Sequence, residues 1–279
     1  DGWQIETSQT GARITPPSDL SAGRVRLGLN LNGAAAQTVH RIAYPHINPT
    51  ARMSPAGLDI AVLDAAMPDT RIGYVGGGHD RVAHWLAALG ADVAELDAAA
   101  ITSGGLEKVQ TLVIGIFALR TVAGLAQAMP LIHQWVEKGG NLVTLYHRPW
   151  DNWDDAHTAP RPLEIGQPSL RWRVTDENAA IRHLLADHPL LNTPNTIGPE
   201  DWAGWHKERG LYFAKSWDPA YQALLEMADP DEAPHHGSLL SARIGRGRHT
   251  HTSLILHHQM EKLVPGAFRL MANLITPET

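Results

Sequence analysis

The residues best suited to chemistry in this chain are its histidines, and Leu256-His257-His258-Gln259 is the most telling group. An imidazole can serve as general acid or base near neutral pH, whereas the amide of Gln259 cannot take a proton as a carboxylate does. The chain has 16 His and no Cys, which rules out disulfides, thiolate metal sites and thiol catalysis and leaves the redox compartment open. His249 and His251, two apart on a strand, point to one face. With His147, Asp151 and His257-His258 they could converge at the C-terminal edge of a sheet, where α/β folds place ligands. Neither H-x-x-x-H nor H-E-x-x-H spacing is present. The expectation is therefore hydrogen bonding in a polar cleft, with no metal and no cofactor.

Two further groups can bear on ligands. Gly76-Gly77-Gly78 precedes a helix and could cradle a phosphate through backbone N–H groups. Arg81 falls where the last glycine of G-x-G-x-x-G should be, so Gly77 and Gly78 read first as a structural turn. Trp150, Trp153, Trp172, Trp202, Trp205 and Trp217 are interleaved with Asp151, Asp154, Asp201, Asp218 and Arg171. Indoles beside carboxylates stack sugar rings and bind hydroxyls. The alternative is that they fill the core of an irregular segment.

These residues need elements to hold them. Residues 1 to about 66 read as β structure and linker. Arg24 to Leu31 alternates, Asn32-Gly33 makes a hairpin turn, Val39 to Ala43 is a short strand, and Asn48 to Pro55, with two prolines, reads as linker. This resembles the end of an immunoglobulin-like sandwich. From Thr70 strands and helices alternate: strand Arg71–Val75, helix Asp80–Leu89 closed by Gly90, strands Asp92–Leu96 and Thr111–Gly115, helix Leu125–Glu137, strand Asn141–Tyr146. Residues 147 to about 235 read as a Trp-rich insertion folded over the cleft as a lid. Order resumes with Ser238–Ile244, the turn Gly245-Arg246-Gly247, the strand Arg248–Leu256 and a helix Gln259–Leu274. Continuous apolar strands with amphipathic helices indicate a parallel sheet covered on both faces.

Composition sets the outer limits. A hydrophobic content of 43% and charged content of 19% suit a soluble globular protein. The net charge of −6 argues against a nucleic-acid surface. No apolar run approaches the roughly 20 residues that span a bilayer. The abrupt start at Asp1-Gly2-Trp3 reads as a piece of something longer, in the cytoplasm or the periplasm.

The pattern of strand, Gly-rich turn, helix, strand ending at Gly115, and helix-Gly-Gly-strand resembles class I glutamine amidotransferase domains, which are flavodoxin-like. By that resemblance His257 falls at the triad histidine, Gln259 at its carboxylate, and Tyr146 or His147 at the nucleophile. Phe117 falls in the second oxyanion-hole element. The triad is degenerate, so no catalytic residue is expected, and Tyr146-His147 should meet His257 at one end of the sheet. A second likeness runs from Gly166-Gln167-Pro168-Ser169-Leu170 through His188-Pro189-Leu190-Leu191, Pro194-Asn195-Thr196-Ile197-Gly198 and Glu208-Arg209-Gly210-Leu211-Tyr212-Phe213-Ala214 to Val264-Pro265-Gly266-Ala267-Phe268-Arg269-Leu270. This string resembles the C-terminal region of long bacterial PIG-L/LmbE-type deacetylases. The deacetylase's own A-H-P-D-D motif is absent. The resemblance implies an accessory domain that positions a glycan-like ligand for an upstream deacetylase domain, with Gly77, Gly78, Phe117, Arg148, Trp150, Trp153, His249, His251 and His258 as ligand-binding candidates. Trp150 or Trp153 is expected at the rim beside His147 and Arg148. A hydrolase using a histidine-lined, possibly metal-bearing cleft and a structural or oligomerisation module are the alternatives.

Overall fold

The computed structural model describes residues 2–8 and 11–278. The chain divides into two compact units, residues 1–64 and 65–279.

The first unit is a set of antiparallel ladders. β1 (Gln4–Ser8) pairs with β2 (Gly11–Thr15), and β3 (Gly23–Gly28) pairs with β8 (Gly57–Val62). β4 (Asn30–Leu31) pairs with β5 (Ala34–Ala35), and β6 (Gln37–Ile42) with β7 (Thr50–Pro55). Asn32 and Gly33 join β4 to β5 with φ of 51° and 81°, the positive angles a type I′ turn requires. Of residues 48–55, expected as linker, Thr50–Pro55 form β7 instead. Thr50-Ala51-Arg52-Met53-Ser54 fits an edge strand, and Pro55 sits at its end, where the missing N–H is tolerated. No described residue of this unit is buried. Leu31, Val39 and Met53 lie more than half exposed. The expected sandwich needs two interdigitating inner faces, and the described residues do not form them.

The second unit is α/β, built on a seven-stranded mixed sheet. Its strands are β9 (Arg71–Val75), β10 (Asp92–Glu95), β11 (Thr111–Ile114), β12 (Asn141–Thr144), β18 (Gln222–Ala223), β20 (Leu239–Ile244) and β21 (Gly247–Thr252), in the order β10-β9-β11-β12-β21-β20-β18. The first five in that order run parallel. β20 pairs antiparallel with both β21 and β18, so it alone runs against the rest, which corrects the wholly parallel sheet expected from sequence. The cause is local. Gly245, at φ 61°, and Arg246 join β20 to β21 in a two-residue turn, and so short a link connects only antiparallel neighbours. β11 and β12 are fully buried and β9 is buried from Ile72 to Val75, as strands covered on both faces must be. The edge strand β10 is not buried, and β21 is buried although its run Arg-His-Thr-His-Thr is polar.

Helices α1 (Val82–Ala88), α2 (Ala98–Thr102), α3 (Ala118–Thr121), α4 (Leu125–Glu137), α5 (Leu256–Glu261) and α6 (Pro265–Ile275) complete the unit. α4 buries Leu125, Ala128, Met129, Ile132 and Val136, the three- and four-residue spacing of a one-sided apolar stripe. The step β9-α1-β10 moves one way along the sheet and β11-α4-β12 the other. Right-handed crossovers therefore put α1 and α4 on opposite faces. The helix expected over Gln259–Leu274 is two helices. Pro265 lacks an N–H and biases Val264 away from helical angles, so α5 stops and α6 starts at the proline.

The insertion is ordered. β13 (Leu163–Ile165) pairs with β17 (Ala214–Trp217), β14 (Arg173–Val174) with β16 (Gly210–Leu211), and β15 (Arg182–His183) with β19 (Leu225–Glu226). Trp153, Trp202, Trp205 and Phe213 are buried within the unit. No helix among the described residues is long and apolar enough to cross a membrane.

Candidate functional site

Four turns leave the C-terminal ends of β9, β11, β12 and β21, and one side chain knits two of them. Asp80 accepts hydrogen bonds from the Tyr74 hydroxyl, from Val82 N–H at 2.9 Å and from Ile116 N–H at 3.0 Å. This fixes the turn after β9 to the turn after β11. Gly115 is required there, because a Cβ would collide with the Tyr74 hydroxyl and the Asp80 carboxylate. Burial and the Asp80 charge together push the Tyr74 phenol far above its ordinary range, so it stays a donor. Gly77 lies against Ile116 and Thr121, where a Cβ would stand 2.8 Å from the Ile116 carbonyl oxygen. Its role is close approach of backbone, while Gly78, at φ 76°, lines the cavity beyond.

That cavity, about 410 Å³, is lined by Gly78, His79, Asp80, Arg81, His257, His258 and Glu261. An aromatic cluster stands around His257. The Tyr146 ring is parallel to that of His257, with centroids 6.4 Å apart and planes within 8°. Phe117 meets Tyr146 edge-on at 5.2 Å, Tyr212 lies 5.9 Å from it, and Trp150 packs edge-on to Tyr212 at 5.3 Å. Phe117 and Tyr212 both hold left-handed backbone angles, φ 59° and 55°. Such angles cost a bulky residue of order 1 kcal/mol or more and gather where geometry is functionally fixed. Arg148 lies 4.0 Å over the Phe117 ring and 5.5 Å from that of Trp150. It is clamped by two hydrogen bonds, at 2.9 and 2.7 Å, to the fully buried Asp151. Burial raises the Tyr146 phenol above its usual range and lowers His257 to about 4. Both rings are neutral near pH 7. His258 is shifted down as well, first by burial and then by neighbouring cations.

The other histidines are not at this rim. His147 is fully buried: its Nδ1 donates to the Leu145 carbonyl at 2.7 Å, and its Nε2 accepts from Leu119 N–H at 3.4 Å. Desolvation lowers it to about 4. His249 and His251 belong to a buried chain beneath the rim. One donor direction satisfies every link in it. The Tyr221 hydroxyl donates to His249 Nδ1 (2.6 Å), and His249 Nε2–H donates to Thr144 Oγ1 (3.0 Å). Thr144 Oγ1–H donates to His251 Nδ1 (2.9 Å), and His251 Nε2–H donates to Ser253 Oγ (3.3 Å). Ser253 Oγ–H ends the chain on the Tyr212 carbonyl at 3.1 Å. Desolvation drives His249 well below the ordinary imidazole value and His251 to about 3. As ligand-binding candidates His249 and His251 are corrected: they face the interior, because both faces of the sheet are covered. Trp153 is corrected for a like reason. It is buried against His251, and its indole N–H donates to the Leu163 carbonyl at 2.9 Å. Trp150, about half exposed, remains at the rim.

Gln259 has a structural task. Its amide accepts from His206 N–H and donates to the His206 carbonyl, each at 2.9 Å. A carboxylate could make only the first bond. Among the described residues no group of three His, Cys, Asp or Glu could hold a metal ion. The structure thus brings together Tyr146, Phe117, Arg148, Trp150, His257, His258 and Gly78, and it separates His147, His249, His251, Trp153 and Gln259 from them. Sequence reasoning missed Asp80, Tyr212 and Thr144. Asp80 carried a usable signal, an Asp just before a helix, whereas nothing marks an aromatic residue for left-handed geometry.

No family model matches this sequence, and no curated protein matches it. Solved structures similar to it include Cytoplasmic Protein STM3548 from Salmonella typhimurium, at 11% identity and a TM-score of 0.49 over 88% of this chain and 97% of that one. Cytoplasmic Protein STM1381 from Salmonella typhimurium LT2 is similar at 11% identity, TM-score 0.45, over 92% and 97%. The exo-beta-1,4-mannosidase Op5Man5 from Opitutaceae bacterium strain TAV5 is similar at 18% identity, TM-score 0.42, over 70% of this chain and 30% of that one. None reaches a TM-score of 0.5, and none bears on activity or ligand.

Proposed function

We propose that the α/β unit is an amidotransferase-like, flavodoxin-like domain without acyl-transfer chemistry, and that it binds a glycan-like ligand as an accessory region of a PIG-L/LmbE-type N-acetyl-sugar deacetylase. The observation that carries the binding reading is the parallel stack of Tyr146 on His257, framed by Phe117, Tyr212 and Trp150 at the C-terminal ends of parallel strands. Trp150 is half exposed and Phe117 and His257 are partly exposed over the buried Tyr146 and Tyr212, and aromatic faces beside hydrogen-bonding groups suit sugar rings. The flavodoxin-like reading is supported by the order β10-β9-β11-β12-β21, which has the 2-1-3-4-5 form. Its switch point lies between β9 and β11, where Asp80 ties the two turns. The link to a deacetylase rests on the sequence resemblance alone.

Acyl transfer is disfavoured by the residues at hand. A phenol held above its usual range stands in the nucleophile's place, and Gln259 is bound to His206 rather than to His257. A histidine-driven hydrolase is disfavoured because His147, His249 and His251 are enclosed and engaged. Titration of the protein with N-acetylglucosamine, followed by tryptophan fluorescence and calorimetry, tests the binding reading. Saturable binding that weakens in Trp150→Ala is expected. No heat and no fluorescence change up to millimolar sugar would end it. Ammonia release from glutamine above background, lost in His257→Ala, would end the non-catalytic reading.

A further inference from the structure

The rim holds more positive charge than its own carboxylate offsets. Asp151 is fully buried, and the Nε and Nη2 of Arg148 occupy its two oxygens. A second guanidinium, Arg120 on α3, reaches toward the same Oδ1, with Nη1 at 4.0 Å. Its side chain is 55% exposed, and its guanidinium makes no hydrogen bond among the described residues. Nη1 of Arg148 likewise makes none. Two cations therefore share one carboxylate beside Phe117 and Trp150. Of the other acids nearby, Glu208 lies 3.7 Å from Lys207 Nζ, and the charged Asp80 is turned toward the neutral donors Tyr74, Val82 N–H and Ile116 N–H.

We propose that Arg120 and Arg148 form an anion subsite at the edge of the aromatic rim, so that the ligand is an acidic sugar, one whose ring stacks on the half-exposed Trp150 indole while its carboxylate meets the two guanidinium groups. This rests on the glycan-binding reading above and adds the charge of the ligand to it. The geometry suits the chemistry. Guanidinium donors fit a planar carboxylate, and Asp151 with Phe117 holds Arg148 in one orientation, so little freedom is lost on binding. Arg120 supplies the uncompensated charge.

N-acetylmuramic acid and N-acetylglucosamine differ by one carboxylate-bearing ether, which makes them the matched probes. With the full chain, calorimetry at about 50 mM salt is expected to show roughly fivefold tighter binding of the acid, a modest gain because Arg120 is exposed. The preference should disappear at about 500 mM salt, where exposed charges are screened. Arg120→Gln should also abolish it while binding of the neutral sugar persists. This variant leaves Asp151 paired with Arg148, so the fold is kept. Arg148→Ala would strand a buried carboxylate and is not the variant of choice. Equal affinity for the two sugars would overturn the anion subsite and leave the glycan reading standing. A preference for the acid that survives Arg120→Gln would overturn the assignment to these arginines. Binding of neither sugar would overturn both readings together.

Discussion

Beneath the ends of β12 and β21 lies a buried polar chain, and directly above it stands the aromatic rim; both are built from His, Tyr and neighbouring side chains. In the chain, Tyr221, His249, Thr144, His251 and Ser253 give every bond to a defined acceptor. At the rim, the ring of His257 makes no hydrogen bond among the described residues, and Trp150 is about half exposed. Enclosed and satisfied, these residue types serve structure; at the rim Tyr146 and Tyr212 are buried too, and a ligand can reach Trp150 and the partly exposed Phe117 and His257. Tyr212 connects the regions, since the chain ends on its carbonyl while its ring packs on Tyr146 and Trp150. The polar chain is well placed to hold the strained backbone that presents that ring.

The largest expected effect comes from cutting the chain at its middle. Thr144→Val keeps the shape but removes the acceptor of His249 Nε2–H and the donor to His251 Nδ1. Two buried polar groups then lack partners, which costs about 2–5 kcal/mol in all. Urea unfolding measures it. A loss below about 1 kcal/mol would show that the hydroxyl is not the link assigned to it.

Acid comes next, and its sign follows from burial. Desolvation depresses His147 to about 4 and His251 to about 3 in the folded chain, while the unfolded values sit near the ordinary 6.5. Between these limits the unfolded chain binds more protons, so stability rises with pH. It should be level above about pH 6.5 and fall steadily as the pH drops toward 4. Salt-bridged Glu226, lowered from 4.5 to about 2, adds its own loss from about pH 4.5 downward. Equal unfolding free energies at pH 5 and pH 7.5 would contradict the enclosed state of these histidines.

The third effect separates ancestry from present use at Gln259. Gln259→Glu restores the acidic residue of the resembling triad but removes the donor to the His206 carbonyl, leaving that carbonyl unpaired beside a new charge. A loss of about 1–3 kcal/mol is expected, with no ammonia released from glutamine. Unchanged stability would mean that the clamp on His206 contributes nothing.

Much of the second unit was legible because local pattern and tertiary need agree there. Leu125–Glu137 is the helix its apolar spacing implies, and the Ile-, Val- and Leu-rich runs are the central strands. The direction of β20 was also written in Gly245-Arg246-Gly247, had turn length been set against strand order. The histidines were harder. Period-two spacing puts His249 and His251 on one face but cannot say whether that face meets water. The segment 98–102 was missed because Ala98-Ala99-Ala100 offers no amphipathic stripe, and its signal is the Asp97 cap on Ala100 N–H at 2.7 Å. In the first unit the alternation of Arg24 to Leu31 does make strands, yet alternation alone supplies no second layer to bury Leu29 and Leu31.

The smallest stability effect should fall on the rim, and it is the one most diagnostic of function. Trp150 is about half exposed, touching Tyr212 edge-on and lying 5.5 Å from the Arg148 guanidinium. Removing it opens no cavity in the core, so Trp150→Ala should cost at most about 1 kcal/mol, the size of one surface aromatic or cation–π contact. If the rim holds sugar rings, the same change should weaken binding of N-acetylglucosamine severalfold while the urea midpoint hardly moves. Thr144→Val should show the opposite balance, with a large loss of stability and a loss of affinity only as far as Tyr212 shifts. A Trp150→Ala protein that unfolds as readily as Thr144→Val would place Trp150 with the core residues and erase the distinction between rim and chain.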